Sequence, residues 1–222
     1  MRGKPGPFTL VHSPLVGPLT WRPVAQRLGA TVPRLTDLEP PYWRSVAETV
    51  AAAITEPTIL VAHSNAGLFV PVIAEAAPVI GCLIVDGRLP GRTDRMHDFL
   101  RPMVRGDGRL PPWTQWWGDA DLAPLFPDAQ TRAAVCAEMP RLPLGYFEEE
   151  IPTPPGWEAT PCAYLRFSDV YVPEADEARR RGWSVDHLPG LHLHQLVDPD
   201  AVAERIVTMT RSWAEHEEPD RP

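Results

Sequence analysis

"ILVAHSNAGLFVP", residues Ile59–Pro71, passes from an apolar run directly into Ser64, then into small residues and a second apolar run. The first run reads as a buried strand and the second has the spacing of a helix, so Ser64 stands at a strand-to-helix turn. A serine there has two readings. It can cap the helix with its hydroxyl, or it can be a nucleophile held exposed on a strained turn. The second reading requires small residues two positions away on each side, because the turn brings those backbones together. Ala62 and Ala66 meet that requirement and Gly67 follows, so the pattern G-x-S-x-G takes the form A-H-S-N-A-G. The glycine-to-alanine changes keep its steric logic.

Outward from this stretch, β-branched or apolar runs recur at 8–12, 30–35, 58–63, 82–86, 162–167 and 183–188, and none of them alternates with polar residues. Helical patterns lie at 20–28, 42–54, 65–77 and 199–214. Non-alternating strands separated by helices predict an α/β domain, a mostly parallel sheet with helices on both faces. The stretch 87–160 breaks this rhythm: it holds turn clusters and the aromatics Trp113, Trp116, Trp117, Phe126, Tyr146, Phe147 and Trp157. An insertion of that length predicts a helical cap over the carboxyl ends of the strands, with the core formed by 1–86 and 161–222. Any one of these aromatics is more often part of the insertion's own small core than a ligand contact.

With 222 residues and 44% hydrophobic composition, the chain can bury one sizeable core, and its length favours a single domain. A net charge of −8 repels phosphate backbones, and the basic residues form no uninterrupted patch, which argues against a nucleic-acid partner. Cys82, Cys136 and Cys162 make an odd count without a CxxC pair and read as reduced core thiols, not as a disulfide framework or zinc cage. The seven histidines form no metal set with carboxylates or thiols at ligand spacing, so no metal is expected. The opening "MRGKPGPFTLVHSPL" has no continuous apolar h-region, and no stretch approaches the ~18 apolar residues of a membrane span. The expected location is the cytoplasm, without a membrane partner.

Chain order supplies the second signal for Ser64. Hydrolases built on such an elbow place Ser, then Asp or Glu, then His at the carboxyl ends of strands. "LPGLHLHQLVDPDAVAERI" puts His192 after a predicted strand and before the last helix. Gly190-Leu191-His192 followed by Asp198-Pro199 resembles the G-G-H-x-x-x-x-x-D-P context of the catalytic histidine in the α/β-hydrolase superfamily, and the chain is similar to that superfamily. "YLRFSDVYVP" resembles its acid segment D-x-x-x-P, which falls on Asp169 with Pro173. "LVHSPLVGPLTWRPVAQRL" resembles its oxyanion strand, loop and first helix. There His12, Ser13, Gly17 and Trp21 follow the pattern of the methylesterase and hydroxynitrile lyase branch. The matches cover the chain outside 87–160.

The resemblance implies a triad of Ser64, Asp169 and His192 and no cofactor. Asp86 also ends a predicted strand and is the alternative acid; chain order favours Asp169, and aspartate before Gly87 also suits an ordinary turn. His192 would take the Ser64 proton, and the Asn65 amide would donate to the developing oxyanion. The family draws a second donor from the position of Pro14, which has no amide hydrogen. That leaves the Leu15 amide, the Ser13 hydroxyl, or a site that stabilises a tetrahedral oxyanion poorly. The lysine that the lyase branch carries after its histidine is Leu193 here, which disfavours cyanohydrin cleavage. The expected function is a small-molecule serine hydrolase for an ester, thioester or lactone, with Trp113 and Trp116 lining a pocket for an apolar part of the substrate. The alternatives are a lyase, cyclase or isomerase using His192 as acid/base, and a non-catalytic binding protein.

Overall fold

The computed structural model describes residues 8–91 and 96–213. Strands β1 (Phe8–Val11), β2 (Thr58–His63), β3 (Val79–Val85), β4 (Cys162–Arg166) and β5 (Ser184–His187) pair in chain order into one all-parallel sheet. The register runs Val11, Ala62, Ile84, Tyr164, Val185 across all five strands. Their carboxyl ends therefore open on one edge.

The helices are α1 (Arg22–Leu28), α2 (Tyr42–Ala52), α3 (Val70–Ala76), α4 (Met96–Leu100), α5 (Asp119–Leu122), α6 (Ala129–Glu138), α7 (Val172–Arg180), α8 (His194–Val197) and α9 (Pro199–Thr210). Leu60, Ala62, Cys82, Ile84 and Tyr164 point into a core shared with α2, α3 and α7. Ile59, Val61, Leu83, Val85, Ala163 and Leu165 point the other way, against α1 and α9. Successive strand residues face opposite sides, and both sides of the inner strands are covered, so these read as largely apolar runs; the edge strand β5, Ser184–His187, is only partly covered, unlike the buried strand expected at 183–188. Each fully buried Leu, Ile or Val contributes roughly 1.5–3 kcal/mol, which makes the two cores the main source of stability.

Two further expectations need correction. The run at 30–35 is not a strand: only Thr31 pairs, giving its N–H to the Phe8 carbonyl at 3.0 Å and taking the Leu10 N–H at 2.8 Å. Pro33, two residues on, has no N–H with which to continue the ladder. The helix expected at 65–77 is two pieces, a 3-10 helix over Ser64–Phe69 and then α3. Pro71 sits in the first turn of α3, where a missing N–H costs nothing. The helix expected at 199–214 is α9, with a 3-10 turn over 211–213; Ala214 lies outside the described residues.

Between β3 and β4 the described residues form α4–α6, short 3-10 turns and a single bridge between Arg109 and Pro143; 92–95 lie outside them. Leu122, Leu125, Phe126, Val135 and Met139 make a small core with Val16 of the loop after β1 and with Leu193 and Leu196 around α8. Trp116, Tyr146 and Trp157 join the core under α2 and α3 instead. Carboxylates fasten this segment to helix starts. Glu149 accepts from the Tyr42 and Trp43 amides at 2.9 and 2.8 Å, at an α2 start whose Pro41 offers no capping side chain. Glu138 accepts from the Leu19 amide at 2.7 Å. Among the described residues, no helix is long and apolar enough to cross a membrane.

Candidate active site

Ser64 follows β2 with φ 60°, a left-handed conformation that non-glycine residues rarely adopt. Such a residue costs on the order of 1–3 kcal/mol and persists only where its surroundings dictate it. They do so through two glycines. A Cβ on Gly87 would lie 2.5 Å from the Ser64 carbonyl oxygen and 2.7 Å from its nitrogen, and one on Gly67 would lie 2.2 Å from the Arg88 carbonyl oxygen. The Arg88 amide donates to the Ser64 carbonyl at 3.0 Å. The close approach that the motif normally assigns to glycines flanking the serine is thus made partly by the glycine after β3.

The Ser64 hydroxyl lies 2.9 Å from His192 Nε2, and His192 Nδ1 lies 2.8 Å from Asp86 Oδ2. With Nδ1–H donating to the carboxylate, Nε2 is the free acceptor for the serine proton. Asp86, directly after β3 and fully buried, also takes the Phe167 and Ser168 amides on Oδ1, both at 2.8 Å, and the Ser168 hydroxyl on Oδ2 at 2.9 Å. Burial works against its charge, but His192 and these amides outweigh it and hold the carboxyl below the usual range.

The expected acid, Asp169, is not at the site. It opens the 3-10 turn Asp169–Tyr171, its side chain is 97% exposed, and its carboxylate pairs with Arg166 at 2.8 Å. The turn carries the side chain outward, whereas Asp86 ends its strand with φ 39° and is enclosed by the end of β4. The alternative reading of Asp86 is therefore the one the geometry carries.

His192 is gripped from several sides. His63, fully buried, donates from Nε2 to the His192 carbonyl at 2.8 Å, and its ring lies 4.7 Å from the His192 ring. Burial lowers the His63 pKa to about 3, so it stays neutral and its Nδ1 can accept from the Gln195 amide at 3.4 Å. Trp113 approaches the imidazole at 5.8 Å and Tyr171 stacks on it at 5.3 Å with planes 19° apart. Trp116 does not reach the triad; its indole donates to the Pro111 carbonyl at 2.9 Å and packs on Phe147. His194 packs against Phe167.

On the other flank, the loop after β1 offers no free backbone donor from its expected positions. Pro14 has no N–H, and the Leu15 N–H is taken by the Ser13 hydroxyl oxygen at 3.2 Å. Of the expected positions, that leaves the Ser13 hydroxyl hydrogen. His12 braces the loop from beneath: Nδ1–H donates to the Ser13 carbonyl at 2.8 Å, and Nε2 accepts the Leu35 amide at 3.1 Å. Burial lowers its pKa to about 4, which keeps it neutral. The Asn65 side-chain oxygen accepts from the Tyr146 hydroxyl, joining the serine turn to the β3–β4 segment.

Sequence reasoning missed Tyr171, Gln195 and the grip of His63. The only signal for the first was its place in the segment "SDVYVP", where attention goes to the aspartate.

No protein-family model matches the sequence, and no curated protein matches it. Solved structures do. A methylesterase from Arabidopsis superposes with a TM-score of 0.68 at 13% identity, over 93% of this chain and 99% of that one. A mutant of tomato methylketone synthase I gives 0.67 at 15% identity, over 93% and 98%. A pyrethroid hydrolase gives 0.67 at 18% identity, over 94% and 98%. The chain has the α/β-hydrolase fold.

Proposed function

We propose that the protein is a small-molecule serine hydrolase in which Ser64, His192 and Asp86 form the triad. The observation that carries this is the continuous chain of contacts, 2.9 Å and then 2.8 Å, joining three residues from separate strand ends on one edge of the sheet. The strain at Ser64 supports it, because a helix cap needs no left-handed backbone. So do the printed activities of the structural neighbours, a methylesterase and a pyrethroid hydrolase among them.

In this reading Ser64 Oγ attacks an ester, thioester or lactone carbonyl as its proton passes to His192 Nε2. The imidazolium, stabilised by Asp86, returns the proton to the leaving group, and water then releases the acyl-enzyme by the same steps in reverse. The Asn65 amide donates to the oxyanion, and the Ser13 hydroxyl serves as second donor where Pro14 cannot. Residues 87–160 act as a cap, and Trp113 presents an apolar wall beside His192 for the acyl or alcohol part of the substrate.

Intact-mass analysis after a serine-directed fluorophosphonate tests this. Wild type gains one probe mass and Ser64→Ala gains none; an unlabelled wild type would overturn the reading. The incomplete backbone oxyanion site favours a second reading, non-hydrolytic chemistry with His192 as acid/base and Ser64 only positioning the substrate. In that case Ser64→Ala would retain part of the turnover.

A further inference from the structure

Strands β3 and β4 meet in two chemically distinct places. At their carboxyl ends Asp86 takes the Phe167 and Ser168 amides. At the start of β4 the meeting is between two thiols, because Cys82 and Cys162 are directly paired in the parallel register. Both are free, and both side chains lie against the core under α2, α3 and α7. Directly paired residues send their side chains to the same face from strands about 4.8 Å apart, inside the roughly 4.4–6.8 Å between Cα atoms that a disulfide spans. In keeping with this closeness, the Cys162 sulfur and burial together push the Cys82 thiol well above its ordinary range.

The two thiols differ in access. Cys82 is 1% exposed, whereas Cys162 is only half-buried and its Sγ–H donates to the Thr160 carbonyl at 3.2 Å. Cys136, from α6, lies instead beside the Thr114 hydroxyl at 3.7 Å.

We propose that Cys82 and Cys162 form a reversible dithiol–disulfide site, oxidised by a small hydroperoxide such as hydrogen peroxide. The reachable partner reacts first. Cys162, as its thiolate, attacks one peroxide oxygen; the O–O bond breaks, an S–OH group forms, and the departing hydroxide takes the thiol proton to become water. Cys82 then gives up its proton and attacks the Cys162 sulfur: the S–S bond forms, the S–O bond breaks, and the second hydroxide leaves as water with that proton. Two thiols are oxidised, one peroxide is reduced to two waters, and the protein loses two hydrogens. A buried thiol of high pKa does not meet peroxide by itself, so Cys82 serves as the resolving partner, already in register with the sulfur it attacks. Strands at this spacing hold the two Cβ atoms wider than a relaxed disulfide prefers, so a dithiol reductant reopens the bond. The odd cysteine count is then one reversible pair and one bystander. The site stands independently of the serine-hydrolase reading.

The test treats the native chain with hydrogen peroxide at neutral pH, unfolds it in urea with iodoacetamide, and maps its peptides without reduction. Two of the three thiols should be lost to one linked peptide pair, Cys82 with Cys162, and dithiothreitol should restore both. Cys82→Ser should leave Cys162 as a sulfenic acid captured by dimedone, or carry it on to the sulfinic acid, and wild type should accumulate neither. Three results would overturn the proposal: sulfenic or sulfinic Cys162 in wild type without the linked pair, a link through Cys136, or recovery of Cys82 and Cys162 both as alkylated thiols. Should Cys82→Ser fail to fold, the wild-type map decides alone.

Discussion

Two neighbouring strands each end in an aspartate, and the two have opposite fates. At the end of β3, Asp86 is fully buried and takes four hydrogen bonds, three of them from Phe167 and Ser168 at the end of β4. At the end of β4, three residues further on, Asp169 is 97% exposed beside Arg166. The residue type is the same, but Asp86 directly follows its strand while Asp169 stands in the turn beyond its own, and only the first meets a supply of donors. A carboxylate can stay charged in a dry site only where amides and hydroxyls replace its water. β4 spends its terminal amides on the aspartate of its neighbour and has none left for its own.

The sharpest way to break this comparison is to neutralise each carboxylate in turn. Asp86→Asn should slow turnover by about 10⁴-fold, because an amide leaves the imidazole in the wrong tautomer. Asp169→Asn should leave the labelling rate within twofold of wild type. A reversal would return the acid to the end of β4.

Acid should reveal the buried side next. The pKa values of His12 and His63 are lowered from 6.5 to about 4 and about 3, so below pH 6.5 the unfolded chain takes up protons that the folded one refuses. The stability they permit is fully present above pH 6.5 and is lost as pH falls toward those folded values. The loss should approach about 1.4 kcal/mol per pH unit for each histidine. Urea midpoints measured from pH 7 to 5 would check this; half the slope would mean that one ring finds a partner for its second proton, and a flat profile that both do. The carboxyl of Asp86, held below its ordinary 3.8, adds to this only at still lower pH, where protonation removes its bond to His192.

The smallest effect belongs to the link between the two strand ends. Ser168→Ala removes the hydroxyl from Asp86 Oδ2 but keeps both amides on Oδ1. It should cost about 1.5 kcal/mol, a loss of roughly tenfold in labelling rate. No change would mean that the amides alone fix the carboxylate.

This contrast also shows what the sequence could disclose. The apolar run of β2, the alanines around Ser64, and His192 ahead of Asp198 and Pro199 are local patterns, and each leads to the residue found at the site. The covered sheet was legible for the same reason, since unbroken apolar strands imply two packed faces. The choice between Asp86 and Asp169 was not local. It depends on where the Phe167 and Ser168 amides point, and those lie more than eighty residues from Asp86 in the chain. The stretch at 30–35 misled for a simpler reason: its composition suits a strand, but Pro33 stops the ladder after one pair. Tyr171 was hidden because no spacing rule connects it to His192, on whose ring it stacks.

The hold of Glu149 on α2 bears on how such a chain can be taken apart. That helix begins after a proline with no capping group of its own, and the charge that answers its first amides arrives from more than a hundred residues away. Excising 87–160 to obtain a smaller scaffold would therefore reach beyond that segment itself. It would leave α2 with its opening amides unanswered and α1's approach without Glu138. The segment is also a foundation, and grafting a different one onto this sheet calls for transplanting its two carboxylate anchors with it.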